Sequence, residues 1–340
     1  MTDFVLLVTI ISIWTAVTEA IIIMVGAIRF LSRQNRNKFV VPASMEDYPS
    51  VTVLVPAHNE EIVVAITAEH ILRLNYPQEK VQIIMIADNC TDQTAAKLKE
   101  LKSRPSYQHR DFEIMERTGT GGKSGALNDA LQKAKGEWIC VYDADAAPEK
   151  NALMFLMQKA LEKPDLYGAV FGRNKARNRG QNFLSKCINQ ELVTIQRVHH
   201  TGLWELFKIG TIPGTNFIVN TALMREIGGW DENAITEDTA VSFEIMKKGK
   251  LIALAPQAEA YQQEPEQLSV YMKQRGRWSK GNFHVIMDNF HHLFDRTSWR
   301  IKLHIMYYAA SYFWFMLAIL VSDVIFLANI GYQIVRLFVP

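Results

Sequence analysis

Two apolar runs, one at each end of the chain, constrain the fold more than anything else in the sequence. From Phe4 to Ile28 the residues are almost wholly apolar, broken mainly by Glu19 and a few hydroxyl side chains. A helix of that length covers the roughly 30 Å hydrocarbon core of a bilayer. A second run, Met306–Gly331, is rich in aromatics (Tyr307, Tyr308, Tyr312, Phe313, Trp314, Phe315). Arg29, Arg33, Arg36 and Lys38 follow the first run at once, and Arg296, Arg300 and Lys302 precede the second. Basic flanks mark the cytoplasmic side, so the expected topology is helix, cytoplasmic domain, helix: a multi-pass protein of the cell (plasma) membrane. A cleaved signal peptide fits poorly, because the basic cluster lies after the apolar run and no small-residue cleavage site accompanies it. Glu19 and Asp323 sit inside the spans, where an ionisable group is costly unless paired or wetted. Two readings stand: a polar path between helices, or a helix–helix hydrogen bond near the interface.

Hydrophobic residues make up 49% of the 340, yet 21% are charged, which suits a polar domain joined to apolar ends. A net charge of +2 gives no support to nucleic-acid binding. The 3 cysteines, Cys90, Cys140 and Cys187, have no CxxC spacing, so neither a disulfide framework nor a zinc site is indicated.

After a linker around Pro42–Pro49, β-branched runs alternate with helical patterns. Strands are expected at Val51–Val55, Val81–Ala87, Phe112–Met115 and Trp138–Tyr142, and helices at Ile62–Leu74, Thr94–Lys102 and Ser124–Lys133. Such alternation predicts an α/β fold with a mostly parallel sheet flanked by helices. Ligands of such sheets bind beyond the carboxyl ends of the strands. Asn59 and Glu60, Asp88 and Asp92, and Asp143 and Asp145 all follow strands directly, so three strand ends deliver acidic or amide groups to one edge. Gly122-Lys123-Ser124 resembles the end of a phosphate-binding loop, but Arg117 stands where that loop needs its first glycine. No GxGxxG follows the first strand, so a dinucleotide fold is unsupported.

Asp143-Ala144-Asp145 places two carboxylates where both can address one hard divalent cation, although acidic turns that cap helices look the same. Asp88 can accept from a nucleobase or ribose, and Asp92 can start the next helix. Lys123 and Asn128 can meet a phosphate and a base, or face solvent. Thr236-Glu237-Asp238 opens an amphipathic helix; its acids complement the helix dipole, and one near a sugar can also serve as general base. Gln274-Arg275-Gly276-Arg277-Trp278 offers arginines to a pyrophosphate and an indole to a sugar face, or a basic amphipathic helix to lipid headgroups.

In order, Pro56-Ala57-His58-Asn59-Glu60, Asp88…Asp92, Asp143-Ala144-Asp145, Thr236-Glu237-Asp238 and Gln274…Arg277-Trp278 resemble the family 2 glycosyltransferases. They are most similar to its processive branch of cellulose, hyaluronan, chitin-oligosaccharide and poly-N-acetylglucosamine synthases. The resemblance covers roughly Val51 to Trp278 and the membrane layout. It implies a GT-A fold, a UDP-sugar donor, Mg²⁺ or Mn²⁺, and inversion by direct displacement. Asp88 would contact uridine, Asp143 and Asp145 the diphosphate and metal, and Asp238 would be the base. Glu60, Lys123 and Arg277 would complete the donor site, and Gln274 and Trp278 would meet the acceptor.

The domains implied are 1–45 (first span and basic flank), 46–265 (catalytic), 266–303 (membrane-interface helices) and 304–340 (second span). The expected activity is synthesis of a β-linked polysaccharide. The alternatives are transfer of one sugar to a lipid carrier or lipid-linked acceptor, or an inactive nucleotide-sugar-binding subunit. Two departures bear on this. Asn89 stands where the family often has a second aspartate, and only one span follows the Gln274–Trp278 motif where processive members carry several. Three readings stand: the chain is a piece of a longer one, a homo-oligomer builds a channel from several copies, or the enzyme does not secrete its product. A transporter is disfavoured, since two spans give no internal repeat.

Overall fold

The computed structural model describes residues 2–36, 46–310 and 315–338. A 35-residue helix, α1 (Thr2–Arg36), precedes the catalytic-size domain. The first half of that domain alternates strand and helix as expected: β1 (Val51–Ala57), α2 (Val64–Leu72), β2 (Val81–Asp88), α3 (Thr94–Ser103), β3 (Asp111–Arg117), α4 (Gly122–Lys133) and β4 (Trp138–Val141). All of β2 and nearly all of β1 are buried, as near-continuous apolar runs covered on both faces must be.

The second half adds β5 (Ala147–Pro148), α5 (Ala152–Leu161), β6 (Tyr167–Ala176), α6 (Phe183–Thr194), α7 (Thr201–Phe207), β7 (Phe217–Asn220), α8 (Thr221–Glu226), α9 (Glu237–Lys247) and β8 (Leu251–Gln262). The eight strands form one sheet in the order β3-β2-β1-β4-β7-β6-β8-β5. β3, β2, β1 and β4 are mutually parallel, as are β6 and β8, and antiparallel β7 joins the two blocks. The strand order reverses between β1 and β4. Such a switch point opens a crevice at the carboxyl ends of the strands.

α10 (Leu268–Asn289), α11 (Trp299–Ala309) and α12 (Phe315–Phe338) complete the chain. Among the described residues, two helices are long and apolar enough to cross a membrane by length and composition, Leu6–Gln34 and Ile319–Arg336. The second differs from the expected Met306–Gly331, whose start belongs to α11. Ile301, His304 and Ile305 lie on one face of α11 at helical spacing and are buried, the two isoleucines with Phe243, Val285 and Ile286 of α9 and α10. That face is committed to the domain. Residues 42–45 of the linker at Pro42–Pro49 fall outside the described residues, as do Lys38, Tyr312, Phe313, Trp314 and the side chains of Arg36 and Phe315.

α1 is fastened to the domain through α7. A Cβ on Gly26 would lie 2.8 Å from the Gly202 carbonyl oxygen, and one on Gly202 would lie 2.2 Å from that of Ile23. Small residues thus let the two backbones touch, as in helix packing within bilayers. Beside this crossing, Arg33 Nη1 lies 2.7 Å from Glu205 of α7, with Arg29 at 4.0 Å. The basic flank read as a topology signal therefore also pairs with a carboxylate of the domain.

Candidate active site

Beyond β4 the chain turns at Asp143, whose carbonyl accepts the Ala146 N–H and whose own N–H donates to Thr215 Oγ1 at 2.9 Å. Ala144 is buried, and its carbonyl accepts from Thr67 at 2.7 Å. Asp143 and Asp145, on either side, stay partly exposed.

Lys123, in the first turn of α4, joins this turn to two others. Its Nζ donates to Asp143 Oδ1 at 2.7 Å and to the Gly214 carbonyl at 3.0 Å, and lies 3.3 Å from Glu237 Oε1. Gly214 has φ +82°, which favours glycine, and a Cβ there would lie 3.1 Å from Asp238 Oδ2. The Gly214 backbone thus borders the Asp238 carboxylate. Burial lowers the Lys123 ammonium, but Asp143 and Glu237 outweigh it and leave its pKa above the ordinary value. Burial, with Glu237 adding, raises Asp238 to about 6, against the opposing Lys123 and the Thr239 N–H.

The other acids point to a cation. Burial raises Asp145, and Asp143 adds to it. Burial also raises Glu60, with Asp145 and Asp143 contributing. Carboxylates that repel one another this way form an all-oxygen set that fits a hard divalent cation.

Asp88 lies one strand further out, at the end of β2. The parallel register sets it opposite Arg117 of β3, whose Nη1 is 2.7 Å from Oδ1, both side chains being under 10% exposed. Asn89, at φ +48°, donates from Nδ2 to the same oxygen at 3.0 Å and to the Gly119 carbonyl at 2.8 Å. An aspartate there could donate neither bond, so this departure from the family pattern positions Asp88. Asp92 accepts from the backbone N–H groups of Thr94 and Glu61, tying the loops before α2 and α3 together. Arg117→Met should leave the buried Asp88 charge unpaired and cost about 3 kcal/mol. A thermal unfolding midpoint equal to wild type would contradict that role.

α10 crosses the start of α9 at Gly281, where a Cβ would lie 2.5 Å from Thr236 Cγ2, and Thr239 Oγ1 donates to Asn282 Oδ1 at 2.8 Å. Arg277 and Trp278 precede Gly281 and Asn282 by one turn, on the same face of α10. Arg275, which the sequence offered only as one of two arginines for a pyrophosphate, decides how this turn is built. Its guanidinium sits 4.2 Å from the centre of the Trp278 ring, makes two 3.0 Å bonds to Glu191, and donates to Gln274 Oε1 at 2.9 Å. One indole face and the Gln274 oxygen are thus engaged by Arg275, while Arg277 is exposed.

The structure therefore gathers Glu60, Lys123, Asp143, Asp145 and Asp238, with Asp88 at the neighbouring strand end. Gln274, Arg277 and Trp278 lie alongside on α10, without a hydrogen bond to the cluster among the described residues. Glu237 was singled out only as part of the Thr236-Glu237-Asp238 motif, and Glu264 was not foreseen. Glu264 is buried, accepts from Gln262 at 2.7 Å, and has its pKa raised by burial and, among other groups, by Asp145. Only the Pro213-Gly214 turn could have been flagged from local sequence.

Known proteins bear on this geometry. Residues 49–281 match the family described as "Glycosyltransferase like family 2". The probable glycosyltransferase YdaM of Bacillus subtilis is 34% identical over 323 residues, 95% of this chain and 76% of that protein. A poly-beta-1,6-N-acetyl-D-glucosamine synthase of Staphylococcus aureus is 28% identical over 255 residues, 73% of this chain and 58% of that protein. The chain thus spans under two thirds of the synthase's length. Among solved structures, the mannosyltransferase PcManGT of Pyrobaculum calidifontis, in complex with GDP-Man and Mn²⁺, has TM-score 0.69 and 18% identity over 95% of this chain and 87% of its own. TarS of S. aureus (residues 1–349), in complex with UDP-GlcNAc, has TM-score 0.55 and 16% identity over 77% and 71%. These two share the fold. With the match to most of the chain and the identity to YdaM, the protein belongs to the family 2 glycosyltransferases.

Proposed function

We propose that this protein is a membrane-bound, inverting hexosyltransferase that uses a UDP-sugar to build a β-linked polysaccharide. The observation that carries this is Asp238, a half-buried carboxylate raised to about 6 that borders the cluster containing Asp143 and Asp145. Its carboxylate takes the proton of the acceptor hydroxyl as that oxygen bonds to the anomeric carbon. The bond from that carbon to the diphosphate breaks, and the electron pair leaves with UDP. A base with its pKa just below neutral is ionised at pH 7 yet still basic enough to assist.

Asp88 holds the uridine, steadied by Arg117 and Asn89. Glu60, Lys123, Asp143 and Arg277 line the sugar-diphosphate path, while Gln274 and Trp278 face the acceptor. Mg²⁺ or Mn²⁺ held by Asp143 and Asp145 would neutralise charge on the departing diphosphate. The kinship with a polysaccharide synthase supports the polymer product, and the TarS complex supports UDP.

Offered a panel of UDP-sugars and GDP-mannose, membranes holding the full chain should release UDP from one UDP-sugar, in a metal-dependent manner, and no GDP. Release from GDP-mannose alone would overturn the donor assignment. For topology, a cysteine placed in the loop after Asp88 should react only with reagents that enter the cytoplasm; labelling from outside intact cells would invert the arrangement. A second reading, transfer of a single sugar to a lipid-linked acceptor, is favoured by a cavity beside α1.

A further inference from the structure

α1 carries a stripe of side chains that stays exposed among the described residues. Ile10, Trp14, Thr18 and Ile22 follow one another at i,i+4 and line a cavity of about 610 Å³. The row beside it contains Glu19 and Ile23. Leu203 and Phe207 of α7 and Leu303, His304 and Tyr307 of α11 form the far wall. From position 10 to 23 the groove runs roughly 20 Å along α1, at about 1.5 Å per residue. Its volume lies within the roughly 300–1,000 Å³ of small-molecule sites.

Two polar atoms in this apolar wall lack partners: Glu19 Oε1 and Nδ1 of His304, a residue only 1% exposed. Buried groups of that kind are costly to leave unpaired, so each calls for a ligand atom or water. The other ring nitrogen of His304 lies 3.2 Å from Thr211 Oγ1. Thr211 is three residues before Gly214, whose backbone borders Asp238, a chain path of at most roughly 10 Å. The groove therefore begins among α1 residues that a bilayer would surround and ends at the loop that frames the base.

We propose that this groove holds the hydrocarbon chain of a lipid-linked acceptor, with the polar head at His304 and its sugar hydroxyl directed along the 211–214 loop to Asp238. The assignment rests on the second reading above. A single apolar chain matches a long, narrow groove along one helix, and a head with hydrogen-bonding oxygens matches a buried imidazole with a free nitrogen. His304 stays neutral at physiological pH, since burial, with His200 beside it, lowers it to about 3. It can therefore serve that head without bringing a charge into the apolar wall.

The test uses the full chain in nanodiscs and a hexadecyl β-glucoside bearing a diazirine near the end of its tail. Adducts should map to α1 between Ile10 and Ile23 and to Leu303–Tyr307. Unlabelled hexadecyl glucoside should compete, and phosphatidylglycerol at equal concentration should not. Ile22→Trp, which fills the groove, should lower labelling and transfer to the alkyl glucoside at least tenfold. Transfer to a soluble oligosaccharide and UDP binding should stay near wild type. Thr15→Phe is a second filling variant, and mapping on the wild type needs neither.

Equal competition by phosphatidylglycerol, or adducts confined elsewhere, would overturn the acceptor site. So would a disulfide-linked dimer of the Thr18→Cys chain, which would place a second copy in the groove. A wild type that labels in the groove but releases no nucleoside diphosphate would overturn the transferase reading. One that releases it but does not label would overturn the lipid site alone.

Discussion

Asp145→Asn is expected to leave the protein folded and binding membranes while transfer falls by about 10³-fold, the equivalent of about 4 kcal/mol of charge stabilisation. The side chain keeps its shape, and the amide can still accept the Gln263 N–H, 3.3 Å from Oδ2. What it loses is the negative charge opposite a cation. The same substitution removes one of three mutually repelling acids, since Asp145 and Asp143 both raise Glu60. An acid whose pKa is raised on folding weakens the fold where it is ionised, above its folded-state value, so at neutral pH the amide should be neutral or slightly stabilising. A purely structural turn predicts the opposite pair of results, a lower unfolding midpoint with turnover preserved. Steady-state UDP release, metal titration and thermal unfolding on one preparation distinguish the two. Full activity of the variant, or of the wild type in excess chelator, would remove the metal assignment.

The first half of the sheet was legible because its signals are local. The residues of β1 and β2 are apolar in near-continuous runs, interrupted at Thr52 and Gln82 and bounded by polar turns, and a doubly covered strand needs little else. The acidic residues at the ends of β2 and β4 follow those runs directly. The second half was not legible as strands. β7 has four residues and β8 pairs with β6 across irregular register, so neither shows a clean period. The contacts that assemble the site are also long-range: Lys123 meets a carbonyl 91 residues away, and α10 meets α9 through Gly281. No window of sequence contains both partners.

The same limit applies to what the motifs leave out. Arg277 suits an anion on its chemistry, and no motif shows that Arg275 packs on Trp278, where two bonds from Glu191 of α6 hold it. The apolar run near the C-terminus reads as one span by composition. It divides because Ile301 and Ile305 find a pocket between α9 and α10, an outcome set by tertiary packing. Asn89 is the converse case. As a departure it weakened the family reading, and in the structure its amide supplies the hydrogen bonds that an acid could not.

Asp238→Asn is expected to keep donor binding and fold while transfer falls by about 10²–10⁴-fold, the usual worth of one positioned base. With the carboxylates at 143 and 145 serving the leaving group, as proposed, inversion needs a separate acid whose oxygen faces the acceptor. The contacts of Asp238 suit that task. Thr239 donates its N–H to Oδ1 at 2.8 Å, while Oδ2 borders the Gly214 backbone. The isosteric amide can keep the first contact but cannot take a proton. The pH profile provides a second readout. The charged groups facing Asp238 are Glu237 on its own helix, Lys123 on α4 and Asp143 after β4. Burial and the two acids raise it, Lys123 lowers it, and the balance is about 6. Only the ionised form is a base, so wild-type kcat/KM should fall tenfold per unit as pH drops below about 6. The residual activity of Asp238→Asn should lose that limb, whereas a residue that merely begins a helix predicts lower stability with the acid limb intact. A folded Asp238→Asn enzyme with near wild-type turnover, or one that keeps the acid limb, would refute the base assignment.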